Sequence, residues 1–491
     1  MDKIFTTITK SAKDIQHFKG INGIKSMYRI IMDSWKPKDE YIIAAAPLES
    51  FLKLEDFFLK TVHKKRIKDK VVMKILINRN GENYSIVRDN MPYTQVRFLD
   101  MDTKTEYGIL NDLLFLVDYG KEPCAILIKD KEFATTFRAF FDLLWNQGRE
   151  IKIPDFTITN KSIPKIIATY KQRKPLIITD PYNYDFAQKL GETFCVKNND
   201  YSNVENARKK LASHKFSMLI GLGGCAALDV ARECATPDIK AIMIPTILST
   251  VCISVDKAVF NYNGEDKVFQ TENPEKTIVS MSYLLQTHKD NITRWSQSGF
   301  GDMFAKIGAS IDVNFREGTL TKKNDTLQFI AKKIPETLEA LQWTLQSFKG
   351  YNREGLKQLA SFLHEASAAI IITGGFGLSG GAEHDLAYAI GKRHAAKSIH
   401  WPTHGQIVSL GTLIELKLFG TFIGNMKLYE DLRKAYKKIG LPTTYTELEN
   451  LGITKEYIIQ GIKDINHLNT FMSKHADAAI KSLDRIFGGK A

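Results

Sequence analysis

The sequence predicts an α/β protein in three parts: an N-terminal α/β domain (residues 1–157), a parallel α/β domain (158–279) and an all-helical half (280–491). Three observations carry this. A chain of 491 residues exceeds what one core usually supports, so several domains are expected. From Tyr41 to Pro245, short apolar runs bounded by turn residues alternate with helical segments. After about Ser280 the strand signal stops and helical periodicity runs to the end.

Composition narrows the classes. No apolar run approaches the ~20 residues of a membrane span. The N-terminal stretch MDKIFTTITKSAKDIQHF carries no apolar signal region, so a soluble, cytoplasmic protein is expected. Five cysteines without a CxxC pair read as reduced thiols and not as a disulfide or thiolate metal framework. The net charge of +13 is spread along the chain, and its densest clusters, His63–Lys70 and Lys434–Lys438, read as solvated helix faces. No nucleic-acid partner is expected; anionic cofactors and phosphorylated small molecules suit the charge.

In chain order, Ile15–Trp35 is expected to be an amphipathic helix ended at Lys36-Pro37. Strands follow at Tyr41–Ala46, Val71–Asn78, Thr94–Leu99, Leu110–Tyr119 and Cys124–Ile128, with a helix at Leu48–His63. Helix Glu132–Gln147 closes the domain, with Phe137, Phe140, Phe141, Leu144 and Trp145 along one side. Pro154–Thr157 reads as a linker. Helix Ile163–Lys171, strand Pro175–Thr179, helix Tyr182–Thr193, strand Phe194–Lys197 and helix Asn203–Ser213 come next.

The second domain is organised around Ser217–Ser254. Met218–Gly221 is a strand closed by Gly221, Gly223 and Gly224, and Ala226–Cys234 is a helix with Leu228, Val230 and Ala231 on its apolar side. Glycines between strand and helix let backbone N–H groups approach a pyrophosphate at the positive helix end. Ile242–Pro245 is the next strand, and Thr246 and Ser249 place hydroxyls where a crevice would open. Asp180, just past a strand, stands where acidic residues meet a ribose or form a turn.

In the helical half, Gly-rich breaks fall at Gly374–Gly381 and Gly405. Three segments pair a metal-type ligand with glycine: GFGDMFAK (Asp302), SGGAEHDLAYAI (His384) and HWPTHGQIVSLG (His404). One carboxylate and two imidazoles form a set that leaves a coordination position open for a substrate oxygen.

On these residues the chain from about Ile163 onward resembles the superfamily of iron-containing alcohol dehydrogenases, glycerol-1-phosphate dehydrogenases and dehydroquinate synthases. GLGGCAALDVAR at Gly221–Arg232 is similar to its GxGGGxxIDxAK, and Pro245-Thr246 with Ser249 to its PTxxS. Gly301-Asp302, Glu383-His384 and His404-Gly405 are similar to its GD, EH and HG, and Gly440–Thr443 and Leu451–Ile453 to its C-terminal part. The glycerol-1-phosphate dehydrogenase branch fits best. The resemblance implies a Rossmann-like domain and a helical metal-binding domain of the dehydroquinate synthase-like type, with the active site between them. It implies Asp302, His384 and His404 as catalytic metal ligands, for zinc or else iron. It also implies Gly223, Gly224, Asp229, Thr246 and Ser249, beside Cys225 and Asp180, as positions for NAD or NADP. A homo-oligomer is the family tendency. Separately, Lys36–Gln147 resembles the phospholipase-D-like effector domain of TrmB-type sugar-sensing regulators, most in FRAFFDLLWNQ. His63-Lys64-Lys65 begins like the HxK(x4)D signature, but Lys70 stands at the aspartate position, so a non-catalytic domain is expected.

Four positions depart from the superfamily pattern. Cys225 replaces the third glycine, Val251 an aspartate that contacts substrate, Tyr388 a substrate-side histidine, and Gln406 the glutamate after HG. Such changes argue for an altered substrate or lost activity more than for another fold. The leading expectation is a metal-dependent NAD(P)-linked dehydrogenase of a small polyol or ketone, with Tyr388, His394 or His400 relaying the proton. The rivals are a dehydroquinate-synthase-like cyclase and a non-catalytic sensor of metabolite or nucleotide.

Overall fold

The computed structural model describes residues 14–78, 88, 91–99, 101, 103–148, 152–213, 216–316, 318, 320, 334–372, 375, 377, 380–393 and 402–488. Contacts divide the chain into two units, residues 1–152 with 372–374, and residues 153–371 with 375–491.

The first unit runs β1 (Asp14–Lys19), α1 (Gly20–Ser34), β2 (Glu40–Ala46), α2 (Leu48–Phe57) and α3 (Lys64–Lys68), with a π-helical turn joining the two helices. It continues β3 (Val72–Asn78), β4 (Thr94–Leu99), β5 (Thr105–Leu110), β6 (Leu113–Asp118), β7 (Cys124–Lys129) and α4 (Lys131–Gln147). The sheet order is β1-β7-β6-β5-β2-β3-β4, parallel from β2 to β4 and antiparallel elsewhere. Three expectations are corrected. The predicted helix Ile15–Trp35 begins only at Gly20, whose φ of 68° turns the chain, and Asp14–Lys19 pairs with β7 instead. The predicted strand Leu110–Tyr119 is half of a hairpin, turned at Asn111-Asp112 with Asn111 at φ 53°, a conformation asparagine tolerates. On α4, Phe141 is buried while Phe140 is half exposed, because adjacent helical residues point about 100° apart. Inside this unit Glu106 is buried and accepts hydrogen bonds from Tyr28 (2.6 Å) and Tyr119 (2.8 Å).

The second unit starts with β8 (Asp155–Thr159), α5 (Ile163–Ala168), β9 (Pro175–Thr179), α6 (Tyr184–Gln188), β10 (Thr193–Cys195) and α7 (Ser202–Ser213). Then come β11 (Met218–Gly223), α8 (Cys225–Glu233), β12 (Lys240–Pro245), the hairpin β13 (Lys257–Tyr262) and β14 (Glu265–Gln270), and β15 (Lys276–Ser280). The main sheet is parallel throughout, in the order β10-β9-β11-β12-β15-β8. The predicted linker at Pro154–Thr157 is therefore corrected: most of it is the edge strand β8, in register with β15 from Asp155↔Lys276 to Thr159↔Ser280. Its partner lies far along the chain, out of reach of any local pattern.

Strand order reverses between β9 and β11. From β9 the chain goes to β10 on one side, then returns to place β11 on the other. The carboxyl ends of β9 and β11 flank the crevice where ligands bind in such sheets. Asp180 and the glycine turn are at those ends.

The remainder is helical: α9 (Met281–Leu284), α10 (Lys289–Arg316), α11 (Pro335–Ser347), α12 (Arg353–Ile372), α13 (Ala382–Arg393) and α14 (His404–Ile423). It ends with α15 (Lys427–Ile439), α16 (Tyr445–Asn450), α17 (Lys455–Asp464), α18 (Phe471–Lys474) and α19 (Ala476–Phe487). Helices α10 and α14 are buried over most of their length. Among the described residues α14 alone is long and apolar enough to cross a membrane, and 78% of its apolar window is buried within the fold, as in a core helix. The two helices touch backbone to backbone. A Cβ on Gly301 would run into the carbonyl of Gly405, and one on Gly405 into the carbonyl of Ser298. Only glycine permits this approach.

Candidate functional site

The crossing of α10 and α14 positions the metal-type ligands. Asp302 follows Gly301 and His404 precedes Gly405, so backbone contact between the glycines brings the neighbouring side chains together. Asp302 Oδ1 lies 3.6 Å from His404 Nε2 and 3.3 Å from His384 Nε2, the latter from the first turn of α13. One ligand atom from each of the three lies within 4.8 Å of the others. Asp302 is buried, whereas the His404 side chain is 40% exposed, which opens the set on one side.

Neighbouring groups hold these ligands in place. Glu383 Oε1 sits 2.8 Å from His384 Nδ1, directing Nε2 at Asp302, as a carboxylate behind a ligating histidine does. The Val251 backbone N–H donates to Asp302 Oδ2 at 2.8 Å. Burial alone would raise the Asp302 carboxyl, but His384 and His404 beside it outweigh burial and hold it well below the usual carboxylate range. Burial would lower His384; Asp302 and Glu383 instead lift it to about 10.

The glycine turn is assembled as tightly. Gly223 has φ 154°, and a Cβ there would strike the Asp180 carboxylate. Asp180 Oδ2 accepts from Gly224 N (2.9 Å), and Oδ1 from Asn183 N (3.0 Å) and Nδ2 (2.9 Å). Asp180 therefore braces the turn across the point where strand order reverses. Gly224 caps α8 and Cys225 is its first helical residue, so a side chain at 225 brings no backbone strain. Its thiol, 3.9 Å from Ser249 Oγ, is raised to about 11 by burial. Thr246 and Ser249 are buried at the end of β12, and Thr246 N donates to Gly223 O (3.1 Å).

Comparison with known proteins begins with a negative result: no protein-family profile matches the chain. Among curated proteins, a glycerol-1-phosphate dehydrogenase [NAD(P)+] from Staphylothermus marinus is 25% identical over 63% of this chain and 84% of its own length. A 3-dehydroquinate synthase from Clostridium tetani is 25% identical over 64% of this chain and 77% of its length. Among solved structures, a probable glycerol dehydrogenase from Sinorhizobium meliloti superposes with a TM-score of 0.51 at 18% identity, over 69% of this chain and 98% of its own. The fold is dehydroquinate synthase-like.

Within that fold, the donor set fits a divalent ion. Tetrahedral ligation at about 2.0–2.1 Å spaces donor atoms about 3.4 Å apart, against the 3.3 and 3.6 Å observed from Asp302. The α8 end of the crevice fits a dinucleotide, since the first N–H groups of a helix lack intrahelical partners. The remaining expected residues have other surroundings. Asp229 is buried, paired with Arg232 and accepting Val259 N (3.2 Å), so both of its oxygens are engaged within the fold. The Val251 side chain is buried in the helical core, and its N–H supports the ligand set. Gln406 is part of the N-terminal cap of α14, its Oε1 accepting from Thr403 N at 2.9 Å. Tyr388 is 44% exposed, its ring centroid 6.2 Å from that of His404. His394 and His400 lie outside the described residues. Sequence reasoning missed Glu383 as an orienting group, although its place beside His384 was the available signal.

Proposed function

We propose that the chain is a metal-dependent NAD(P)-linked dehydrogenase of a small polyol or the corresponding ketone, phosphorylated trioses being the first class to try. One observation carries this: the loop after β12, whose Thr246 N bonds Gly223 O of the glycine turn, reaches Asp302 through Val251 N, so one loop ties the cofactor turn to the ligand set. The similarity to glycerol-1-phosphate dehydrogenases supports the same reading. A divalent ion on Asp302, His384 and His404 supplies a Lewis acid for a carbonyl oxygen. Asp302 and His384 hold fixed positions through Val251 and Glu383, and the exposed side of His404 admits substrate. Tyr388, beside His404, is the described candidate for passing a proton to solvent.

The test is oxidation of NADH and NADPH with dihydroxyacetone phosphate, with zinc, with iron and with a chelator. Metal-dependent oxidation that His404→Ala abolishes, with the fold intact, is the expected result. Full activity of that variant in chelated buffer would overturn the ligand assignment. A cyclase reading, suggested by the dehydroquinate synthase relative, predicts product without net change in NADH.

For the first unit we infer a non-catalytic role in ligand sensing or assembly. His63 is buried, and burial with nearby Arg88 and Arg66 pushes its imidazole well below its ordinary value, unlike an accessible catalytic histidine.

A further inference from the structure

A second cluster of metal-ligating side chains lies behind His384. Asp312 on α10, Glu383 on α13 and Glu415 on α14 are fully buried, and each offers an oxygen within 4.8 Å of the other two. Asp312 Oδ1 accepts from Phe471 N (2.6 Å) and Oδ2 from Ala382 N (2.5 Å). Glu383 Oε1 is engaged by Gly381 N (2.7 Å) and His384 Nδ1 (2.8 Å). Glu383 Oε2 and both oxygens of Glu415 are sealed from solvent without a hydrogen-bond partner among the described residues.

A buried carboxylate oxygen without a partner is costly, and here there are three, one on Glu383 and two on Glu415. Among the described residues no lysine or arginine forms an ion pair with any of them. The side chains facing one another are acidic. Two glycines open the space between the oxygens: a Cβ on Gly308 would lie 3.0 Å from both Glu383 Oε2 and Glu415 Oε2, and one on Gly381 2.8 Å from Glu383 Oε2. A cavity lined by carboxylate oxygens and opened by residues without side chains suits a cation.

We propose that Asp312, Glu383 and Glu415 form a second cation site, for a hard divalent cation of the magnesium, manganese or calcium class. All-oxygen donors select such ions, whereas a set with two imidazoles favours zinc or iron. The site has a structural logic. Helices α10, α13 and α14 supply Asp302, His384 and His404, and the same three supply the carboxylates, so one cation clamps the helices that align the other set. Glu383 joins the two, holding His384 with one oxygen and facing the cavity with the other.

The proposal stands independently of the dehydrogenase reading, and its test reads metal content, not turnover. The full chain is produced in medium supplemented with zinc and manganese, then assayed by elemental analysis and manganese electron paramagnetic resonance. The parent is expected to carry one equivalent of each. His404→Ala should lose zinc and keep manganese, and Glu415→Gln should lose manganese and keep zinc. Gly308→Ala, whose methyl enters the cavity, is the second variant should Glu415→Gln fail to fold, and it too should lose manganese. Parent protein without manganese, or manganese lost with His404→Ala and kept in both cavity variants, overturns the proposal.

Discussion

Replacing Gly405 with alanine tests whether the helix crossing creates the ligand set. The added Cβ would lie 1.8 Å from the Ser298 carbonyl oxygen, a backbone atom of α10 that cannot rotate aside. Carbon atoms of side chains do not come nearer than 3.0 Å to such neighbours, so α10 and α14 must part by about 1.2 Å or more. Metal ligation tolerates about 0.2 Å in each bond. The displacement falls directly on the neighbours Asp302 and His404, now 3.6 Å apart. Overpacking of this kind costs about 1–3 kcal/mol, and the better helix propensity of alanine returns at most about 1 kcal/mol. The expected outcome is a melting temperature lower by a few degrees and zinc affinity lower by at least roughly a hundredfold, read by competition with a chromophoric chelator. Gly391→Ala is the control: on α13, with nothing within 4 Å of the added methyl, it should bind zinc like the parent. A Gly405→Ala protein that binds zinc as tightly as the parent would refute the argument.

Three further outcomes are expected. Glu383→Gln removes the carboxylate that holds His384 and should weaken zinc binding about 10–100-fold in the same competition assay. Glu106 is raised from an ordinary 4.5 to about 6, chiefly by burial, so the folded state binds its proton more tightly than the unfolded state. Stability of the first unit should therefore be highest below 4.5 for this group and fall as pH rises through 6, by about 2 kcal/mol at most. Hydrogen exchange of β5 in the parent minus that in Glu106→Gln should show this slope; a flat difference would contradict it. Arg232→Met strands the buried Asp229 and should cost about 3–5 kcal/mol in urea unfolding, with most of it returned by adding Asp229→Leu.

Local pattern made much of this chain legible. The glycine turn between Met218 and Cys225, the strands around it and the change to helix near Ser280 follow from periodicity and turn chemistry. What escaped was non-local. Whether Asp14–Lys19 is strand or helix depends on β7, and whether Asp155–Thr159 is strand or linker depends on β15. The spacing of Asp229 from the glycines is local, but its buried pairing with Arg232 and with Val259 N could be seen only in the folded chain.

The amino-acid order by itself determined which residue types were available for chemistry: one carboxylate and two imidazoles, each beside a glycine, downstream of a strand–glycine–helix turn. Tertiary structure decided what they do together. Asp302, His384 and His404 meet because two long helices touch at Gly301 and Gly405, a contact no local window contains. The same packing buries Asp312, Glu383 and Glu415 against one another. Charge and ligand type are properties of single residues, whereas coordination and desolvation are properties of distances between them, and only the folded chain sets those.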